Sequence, residues 1–415
     1  MADSEENRDA VIVGAGIAGS ALATVLARAG LDVLLLEKSE TFTDHVRGEA
    51  MLQWGVKEAQ DLGLHDALVA AGAHYILRGV PYDELAPPQA VESAALDMAQ
   101  FVPGVRGVLA IGHPHHCQAL LEQAEAAGAK VRRGISLLRV EAGAAPNLSY
   151  EAGGARFTAR ARLIVGADGR TSEVREALKI PLTAGAPRTL LSGMLVEGAD
   201  GWDADAWSLG TAKDFCYSVF PQGKGRARIY GWWDVSQRKR FTGAERVGDF
   251  LAAFQLECCP QSGAIAAARA AGPLITFLNN ESVARTPFAE GCVLVGDAAG
   301  WTDPLSGCGL SSAYRDARVV SEILLASDDW SPAAFAPSAE ERNERLRRLR
   351  FITEIESALN CVFDERGRAR RGQFIQRMPS EPTLAAHVVA NLAGPESQPA
   401  EVYTSAHRAY VLGEA

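Results

Sequence analysis

A glycine-rich turn near the amino terminus constrains the fold of this chain more than any other feature of its sequence. Residues 10–13 read AVIV, the letters GAGIAG follow with the spacing G-x-G-x-x-G, and an apolar segment continues to Gly30. This order is typical of a buried strand that turns directly into a helix. Gly14 permits the tight turn, Gly16 lets the backbone approach a phosphate group, and Gly19 lets the helix pack on the strand. The free N–H groups at the helix start favour an anion there.

A second apolar run, DVLLLEK, follows the helix and carries an acidic residue directly after its apolar letters. Its Glu37 lies about 20 residues after the glycine turn, the spacing at which a carboxylate at a strand end accepts hydrogen bonds from ribose hydroxyls. The sequence therefore predicts a dinucleotide site, with Ala18, Glu37 and Lys38 among its contact residues. A glycine-rich turn that binds nothing is the alternative, and the complete order of strand, turn, helix, strand and acid favours the dinucleotide.

Two later segments also place an acidic residue directly after an apolar run. Residues 161–178 read ARLIVGADGRTSEVREAL, in which Asp168 and Gly169 end the run. Residues 292–312 read CVLVGDAAGWTDPLSGCGLSS, in which Asp297 ends the run, and Pro304 and two spaced glycines precede a helix-like segment. An Asp at a strand end is common in turns, but the spacing D-G-x-x-S-x-V-R is more specific.

Taken together, GAGIAG, Glu37, Arg47, the D-G-x-x-S-x-V-R spacing and the GDAAG segment resemble a family of flavoprotein monooxygenases. This family of FAD-dependent aromatic hydroxylases includes 4-hydroxybenzoate hydroxylase, and its wider relatives are geranylgeranyl reductases and tryptophan halogenases. The resemblance covers roughly residues 8–330. It implies FAD as the cofactor, NADPH or NADH as the reductant, and Arg47 and Asp168 among the residues that bind FAD.

The resemblance also gives roles to the GDAAG segment. It implies that Asp297 bonds the ribityl chain of FAD, that Pro304 lines the pocket where oxygen reacts, and that backbone N–H groups near Gly307, Gly309 and Leu310 face the flavin pyrimidine ring. The residue types suit these roles. Reduced flavin is anionic around N1 and O2, so N–H donors at a helix start stabilise it, and proline adds apolar surface without a donor.

Three residues depart from the family pattern, and these departures bear on the type of reaction rather than on FAD binding. Gly300 stands where the family commonly has His, Ser311 where it has Asn, and His113 where an Arg usually opens the helix. The leading hypothesis is hydroxylation of an aromatic, phenolic molecule by NAD(P)H and O2 through a C4a-hydroperoxyflavin. The alternatives are a flavin-dependent reductase of C=C bonds, a halogenase, and a non-catalytic flavin-fold binding protein.

The order of the segments predicts an α/β chain: a Rossmann-like FAD-binding domain interleaved with an antiparallel-sheet substrate domain, followed by C-terminal helices. The FAD-binding domain would take residues 1–80, 103–181 and 285–335, the substrate domain residues 81–102 and 182–284, and the C-terminal section residues 336–415. Within that section, Glu and Arg four residues apart in EERNERLRRLR predict a solvated helix. The prolines after residue 378 predict a loosely packed tail.

The predicted substrate domain is rich in aromatic side chains. Short alternating runs between residues 180 and 287 indicate antiparallel strands, and QGKG between two of them predicts a hairpin loop. Most strand aromatics belong to the core, but a sheet laid over a flavin would use some to wall an apolar pocket. Tyr217 and Tyr230 are our candidates for contacting a substrate hydroxyl, and with Pro304 they form the predicted catalytic set.

The composition and net charge of the chain limit the classes of molecule that it is expected to bind. A formal net charge of -10 disfavours nucleic acid, which binds basic surfaces. Seven scattered cysteines indicate reduced thiols and a cytoplasmic location.

Residues 10–27 carry no charge, but their glycines argue against a membrane span, so we expect no transmembrane segment. The histidines of HPHH lack the companions of a zinc site, so we expect no metal. The expected partners are an aromatic substrate, O2 and NAD(P)H, in a monomer or homodimer.

Overall fold

The computed structural model describes residues 4–414, so the outermost residues of the predicted domain ranges lie outside it. The strands are β1 (Ser4–Val13), β2 (Val33–Glu37), β3 (Ala50–Met51), β4 (His74–Ile76), β5 (Arg78–Gly79), β6 (Leu96–Asp97), β7 (Val108–Ala110), β8 (Lys130–Arg133), β9 (Ser136–Glu141), β10 (Asn147–Ala152), β11 (Ala155–Gly166), β12 (Thr183–Ala184), β13 (Thr189–Glu197), β14 (Ala206–Ala212), β15 (Phe215–Gly223), β16 (Arg226–Asp234), β17 (Arg269–Ala270), β18 (Ile275–Asn279), β19 (Ser282–Val283), β20 (Phe288–Ala289) and β21 (Cys292–Leu294).

The α-helices are α1 (Ile17–Arg28), α2 (Gln53–Asp61), α3 (His65–Ala70), α4 (Pro88–Ser93), α5 (His113–Ala126), α6 (Glu173–Ala177), α7 (Arg246–Ala252), α8 (Ser262–Ala266), α9 (Gly309–Ala326), α10 (Pro332–Asn360), α11 (Glu365–Arg377), α12 (Ala386–Ala393) and α13 (Ser405–Leu412). Short 3-10 turns lie at Met98–Gln100, Gly296–Ala299, Pro304–Ser306, Pro382–Ala385, Pro395–Ser397 and Ala400–Tyr403. Within the described range, no helix is both long and apolar enough to cross a membrane.

The first sheet has the strand order β20-β21-β11-β1-β2-β8, and its neighbours from β21 to β8 run parallel. Every residue of β2 is buried, as expected for a parallel strand covered on both faces. Helices α1, α5 and α9 pack against one another on one face of this sheet. The carboxyl ends of β1, β11 and β21 therefore meet at one edge of the sheet, where ligands of open α/β sheets bind.

The second sheet has the order β17-β13-β16-β15-β14-β5-β6, with β18 also beside β13. All its pairs are antiparallel except β14 with β5. The predicted hairpin joins β15 to β16 through Lys224 and Gly225, whose φ angles of 54° and 66° are those of a type I′ turn. The predicted α/β class, with a separate antiparallel sheet and C-terminal helices, is confirmed.

The carboxyl-terminal residues are packed, so the prediction of a loose tail is wrong. Leu392 on α12 and Tyr403 beyond it are buried in one cluster with Leu349 and Ile352 of α10. Val411 and Leu412 of α13 are buried against Ile355 and its neighbours. Pro382 and Pro395 start short 3-10 turns between these helices, and the apolar faces of the helices hold the segment in place.

Candidate functional site

The glycines of the first turn lie where strand β1 meets helix α1. Gly14 has a φ of +102°, and a Cβ there would lie 2.4 Å from the carbonyl oxygen of Ala167. A Cβ at Gly19 would lie 1.9 Å from the carbonyl oxygen of Gly14. Both positions therefore exclude a side chain because of the protein's own packing.

Gly16 differs from the other two glycines. It directly precedes α1 as its N-cap residue with ordinary extended backbone angles, and a Cβ there would meet no atom of residues 4–414 within 4 Å. The backbone at the helix start is thus open to the approach of a phosphate, and a side chain would occupy that approach. Ala18 is buried two residues further along, 3.1 Å from where a Cβ of Gly296 would stand.

The carboxylate of Glu37 is held beside this turn. One oxygen accepts from the backbone N–H of Ala15 at 2.8 Å, and the other accepts from the N–H of Ser39 at 2.8 Å. Each carboxylate oxygen retains a further lone pair for a hydroxyl donor. Lys38 is exposed, next to this position. The residues therefore fit the pyrophosphate and ribose of a dinucleotide.

Replacing Gly16 by Ala tests this arrangement. We expect the free energy of unfolding without cofactor to change by at most about 1 kcal/mol, because the added Cβ has room and the backbone angles suit alanine. The Kd for FAD should rise about tenfold or more, since the methyl group stands in the phosphate approach. Fluorescence titration of the apoprotein with FAD and chemical denaturation measure the two quantities.

Gly14→Ala is the matched control for that substitution. Its positive φ and its contact with Ala167 should cost about 2 kcal/mol or more of stability in the absence of FAD. If Gly16→Ala destabilises the apoprotein as much as Gly14→Ala does, the open space at Gly16 is not a ligand approach.

Asp297 lies in the 3-10 turn after β21. Its Oδ2 accepts from Nε of Arg170 at 3.0 Å, and its side chain is 35% exposed. Arg175 donates to the carbonyl oxygens of Ala298 and Arg170, at 3.0 and 2.9 Å. The D-G-x-x-S-x-V-R segment and the GDAAG segment are therefore bonded to each other.

The carboxylate of Asp168 accepts hydrogen bonds mainly from residues of its own segment. Its carboxylate accepts from the hydroxyl of Ser172 at 2.5 Å and from the backbone N–H groups of Glu173 and Val174 at 2.7 and 3.1 Å. These bonds cap helix α6. The structure thus places Asp168 at the strand end, as the motif predicts, with its oxygens engaged in the turn.

Two arginines in the stretch that predicted a solvated helix are buried, and that prediction is wrong for them. Arg342 donates to the carbonyl oxygens of Gly296, Ala299 and Gly300, at 3.2, 2.9 and 2.9 Å. It also pairs with buried Asp316 of α9 at 3.0 Å, which accepts from the N–H of Gly296 at 2.9 Å.

Arg345 completes this cluster with a second contact to Asp316, at 2.6 Å. Burial raises the pKa of Asp316, but the two arginines outweigh it and hold that pKa below its usual value. Helix α10 therefore holds the turn that carries Asp297. In the sequence, the signal for this cluster was Asp316, an ionisable residue on the buried face of α9, because a buried charge requires a partner.

The segment from Asp303 to Leu310 is fixed by bonds to distant residues. Asp303 accepts from the N–H of Leu305 at 2.8 Å and from the amide of Asn279 at 3.1 Å. From helix α12, Asn391 donates to the carbonyl oxygen of Ser306 at 3.0 Å. The short turn that begins at Pro304 is thus anchored on both sides.

The backbone after this turn is open. Gly307 has a φ of +66°, and a Cβ at Gly307 or Gly309 would meet no described atom within 4 Å. Helix α9 begins at Gly309, and Leu310 is buried directly behind it. N–H groups at such a helix start can face the pyrimidine ring of a flavin, so this segment also fits the cofactor.

The inner face of the second sheet presents a row of aromatic rings, which we call the aromatic row: Trp207, Phe220, Tyr230 and Trp232. Successive ring centroids lie 5.7, 6.3 and 6.0 Å apart. Leu305, beside Pro304, packs in one cluster with Trp232 and Tyr230. The aromatic row and the Pro304 turn therefore face each other.

Tyr217 is not brought to this place. It lies on the outer face of the sheet, where its ring packs against Phe254 and its hydroxyl donates to the carbonyl oxygen of Tyr82 at 3.0 Å. Because Tyr217 lies on the face of the sheet opposite to the Pro304 turn, we do not propose it as a substrate contact. Tyr230 stays a candidate.

The space between the two sheets contains several ionisable groups. The guanidinium of Arg47 lies 5.1 Å from the ring centroid of Phe277, and burial followed by the charge of Arg170 lowers its pKa. Burial, followed by the influence of His45, lowers the pKa of His113 to about 4, so this imidazole is neutral near pH 7. The position where an Arg was expected therefore carries no positive charge.

Sequence reasoning did not assign roles to Glu49 and Arg228. Glu49 is 2% exposed, and its carboxylate accepts from the hydroxyl of Tyr230 and lies 3.1 Å from Nη2 of Arg228. Burial raises the pKa of Glu49, opposed by the charge of Arg228. The only signal for this pair in the sequence was the presence of charged residues within apolar segments, as in RARIYGWW.

Comparison with known proteins agrees with this geometry. The family model described as an FAD binding domain matches residues 7–343. The chain is 25% identical over 350 residues to a digeranylgeranylglycerophospholipid reductase of Methanocella arvoryzae, covering 81% of this chain and 83% of the relative. It is 26% identical to a rifampicin monooxygenase of Rhodococcus hoagii, covering 80% of this chain and 67% of the relative.

A solved structure shares the fold at lower identity. The p-nitrophenol 4-monooxygenase of Pseudomonas putida superposes with a TM-score of 0.77 at 18% identity, over 94% of this chain and 99% of that one. At this identity the likeness concerns the arrangement of the two sheets and the helices.

Proposed function

Because this chain belongs to the FAD binding domain family and is an FAD-dependent oxidoreductase, we propose that it hydroxylates an aromatic, phenolic small molecule with O2 and NADH or NADPH. The observation that carries the proposal is the aromatic row set opposite the Pro304 turn. A sheet face lined by aromatic rings can hold a planar apolar substrate and keep water away from the reacting atoms.

When bound, FAD supplies electron transfer from the nicotinamide and the activation of oxygen. In the proposed arrangement, the start of α1 holds the pyrophosphate, Glu37 a ribose, and Asp297 the ribityl chain. The N–H groups from Gly307 to Leu310 stabilise negative charge on the pyrimidine ring. Pro304 presents apolar surface without a hydrogen-bond donor.

The test uses purified protein loaded with FAD. We expect NAD(P)H oxidation to accelerate when a phenol is added, with a hydroxylated product and O2 consumption. Colourless protein that takes up no FAD would refute the whole proposal. Protein that binds FAD but forms no oxygenated product from phenols would refute the aromatic hydroxylation alone.

A reductase of C=C bonds is the second candidate, favoured by the similarity to digeranylgeranylglycerophospholipid reductases and by the sequence GDAAGWTDP. Turnover without oxygen separates the two. A reductase converts an isoprenoid substrate anaerobically with a chemical reductant, whereas a monooxygenase stops after reduction of its flavin.

Pro304→Ser provides a prediction specific to the monooxygenase. We expect FAD to stay bound, because the substitution leaves the phosphate and ribityl contacts in place. The hydroxyl adds a polar group and admits water near the flavin, so more hydrogen peroxide and less product should form per NAD(P)H. Peroxide and product are quantified in one assay.

Pro382→Ser is the control, because Pro382 also begins a 3-10 turn but lies in the C-terminal section. It should leave the ratio of product to NAD(P)H unchanged. An unchanged ratio in Pro304→Ser as well would remove Pro304 from the oxygen-reacting side of the site.

We also propose that the protein works in a reducing compartment such as the cytoplasm. The cysteines between residues 4 and 414 are all buried and all free thiols. Buried free thiols are common in proteins of reducing compartments.

A further inference from the structure

A strained loop between strands β2 and β3 is the strongest feature that the proposed function leaves unexplained. Val46 has a φ of +56°, although its side chain is β-branched and completely buried. A positive φ is unfavourable for an L residue and most of all for a β-branched one, so the surrounding contacts must hold it. The phosphate, ribose and ribityl contacts described above do not account for this conformation.

The carboxylate of Asp44 holds the strained residue. Its Oδ1 accepts from the backbone N–H of Val46 at 2.7 Å, and its Oδ2 accepts from Nη2 of Arg228 at 2.6 Å. Arg228 is buried on β16, so the loop is tied to the second sheet. The side chain of Val46 lies against the same sheet, because its Cγ1 is 2.4 Å from where a Cβ of Gly193 would stand.

The conformation of Val46 sets the position of the next residue, Arg47. The guanidinium of Arg47 lies 5.1 Å from the ring centroid of Phe277, and its Nε is buried with no hydrogen-bond partner in the described part of the chain. Burial lowers the pKa of Arg47, the charge of Arg170 lowers it further, and the carboxylate of Asp297 opposes them. A buried guanidinium nitrogen without a partner is costly, so Arg47 suits an anionic ligand beside the Asp297 turn.

Gly48 closes the loop on the proposed flavin site. Its φ is +69°, and a Cβ there would lie 3.1 Å from Cδ2 of Leu310 and 3.3 Å from Nδ1 of His113. The glycine thus lets the loop pack directly against the starts of helices α9 and α5. Arg47 is therefore fixed from both sides, by Val46 before it and by Gly48 after it.

We propose that Asp44 is a positioning residue of the FAD site. By holding Val46 in its left-handed conformation, it presents the guanidinium of Arg47 to an anionic group of the bound FAD. The interaction with that group compensates the strain of Val46 and the burial of the cation. This inference rests on the proposed placement of FAD at the carboxyl edge of the first sheet, and it adds the residues that bring a cation to it.

A double-mutant cycle on the Kd for FAD tests whether Asp44 acts through Arg47. We expect Asp44→Ala and Arg47→Ala each to raise the Kd about tenfold, because either change takes the cation away from the anionic group. In the double variant the two effects should not add, since Asp44 has nothing left to position once Arg47 is replaced. Fluorescence titration of the apoprotein with FAD gives the four Kd values.

Two further variants separate the backbone conformation from the charge of Asp44. Asp44→Asn keeps an oxygen that accepts from the N–H of Val46, so its Kd should stay within about threefold of the wild type. In Val46→Gly the backbone adopts a positive φ without strain. Asp44→Ala should therefore weaken FAD binding less in the Val46→Gly background than in the wild type.

Asp203→Ala is the matched control. Asp203 also accepts from the backbone N–H two residues ahead, that of Asp205, at 2.9 Å, and it also pairs with an arginine, Arg78, at 2.8 Å. This turn lies beside β5, towards the opposite end of the second sheet from β13. The control should leave the Kd for FAD unchanged.

The possible failures can be told apart. Wild-type protein that takes up no FAD refutes the proposed cofactor site itself, and an unchanged Kd in Arg47→Ala removes Arg47 from that site and overturns the inference with it. Additive losses in the double variant, or a loss in Asp44→Asn as large as in Asp44→Ala, would overturn the positioning role while FAD binding stands. Chemical denaturation of each apoprotein establishes that the variants are folded before titration.

Discussion

Replacing Arg342 by Ala should lower the free energy of unfolding by about 3–5 kcal/mol, the largest effect we expect from a single substitution in this chain. The change removes one of the two cationic partners of Asp316, which lies in the buried face of α9. It also leaves the carbonyl oxygens of Gly296, Ala299 and Gly300 without this donor. Losing a partner inside the protein costs more than the bond itself contributes, because the remaining charge has no water.

Chemical denaturation of the apoprotein measures this loss. Arg347→Ala is the control on the same helix, because Arg347 is half-exposed and pairs with Glu344 at 2.7 Å. Exposed pairs of this kind contribute about 0.2–1 kcal/mol. Equal losses in the two variants would mean that the Arg342 cluster does not hold the turn.

Replacing Asp297 by Ala should raise the Kd for FAD about tenfold or more, a loss of about 1.5–3 kcal/mol of binding free energy. The carboxylate lies at the carboxyl edge of the parallel sheet and is partly exposed, so a ribityl hydroxyl can donate to it. A hydrogen bond to a charged acceptor contributes more than one between neutral groups. Titration of the apoprotein with FAD gives the Kd.

Two companion variants separate the possible causes. Asp297→Asn keeps an oxygen acceptor without the charge, and its Kd should lie between those of the wild type and Asp297→Ala. Arg170→Ala removes the present partner of Asp297 and should weaken FAD binding less. If Arg170→Ala and Asp297→Ala weaken binding equally, the role of Asp297 is to hold Arg170, and full occupancy of Asp297→Ala at low FAD would remove this residue from the cofactor site.

Local geometry was readable from the sequence. The contact at Gly19 is made with the backbone of Gly14 in the same turn, so the spacing G-x-G-x-x-G was sufficient to predict it, whereas the contact of Gly14 with Ala167 depends on the neighbouring strand. The type I′ turn at Lys224 and Gly225 depends likewise on only two φ angles. The α/β class followed from the order of apolar runs, because parallel strands need helical connections.

The assignment of Tyr217 and Tyr230 to faces was not readable in this way. The alternation of apolar and polar residues identifies the inner face of a strand only when the other face is exposed to solvent. In this sheet both faces are covered, and β13 is buried along nearly its whole length. Tyr217 and Tyr230 therefore looked equivalent in sequence. The helices over Phe254 and the Pro304 turn under Trp232 decided which one faces the site.

The sequence by itself determined the cofactor class and the positions of its three strand-end motifs, because each is written within one short segment. Only the tertiary structure decided which distant residues hold those segments in place. Arg342 reaches the GDAAG turn, Asn391 the segment after Pro304, and Glu49 the hydroxyl of Tyr230 across long separations in the chain. The identity of a charged or polar residue does not show whether its side chain faces water or a buried partner. The packing of the helices and sheets determines which of the two occurs.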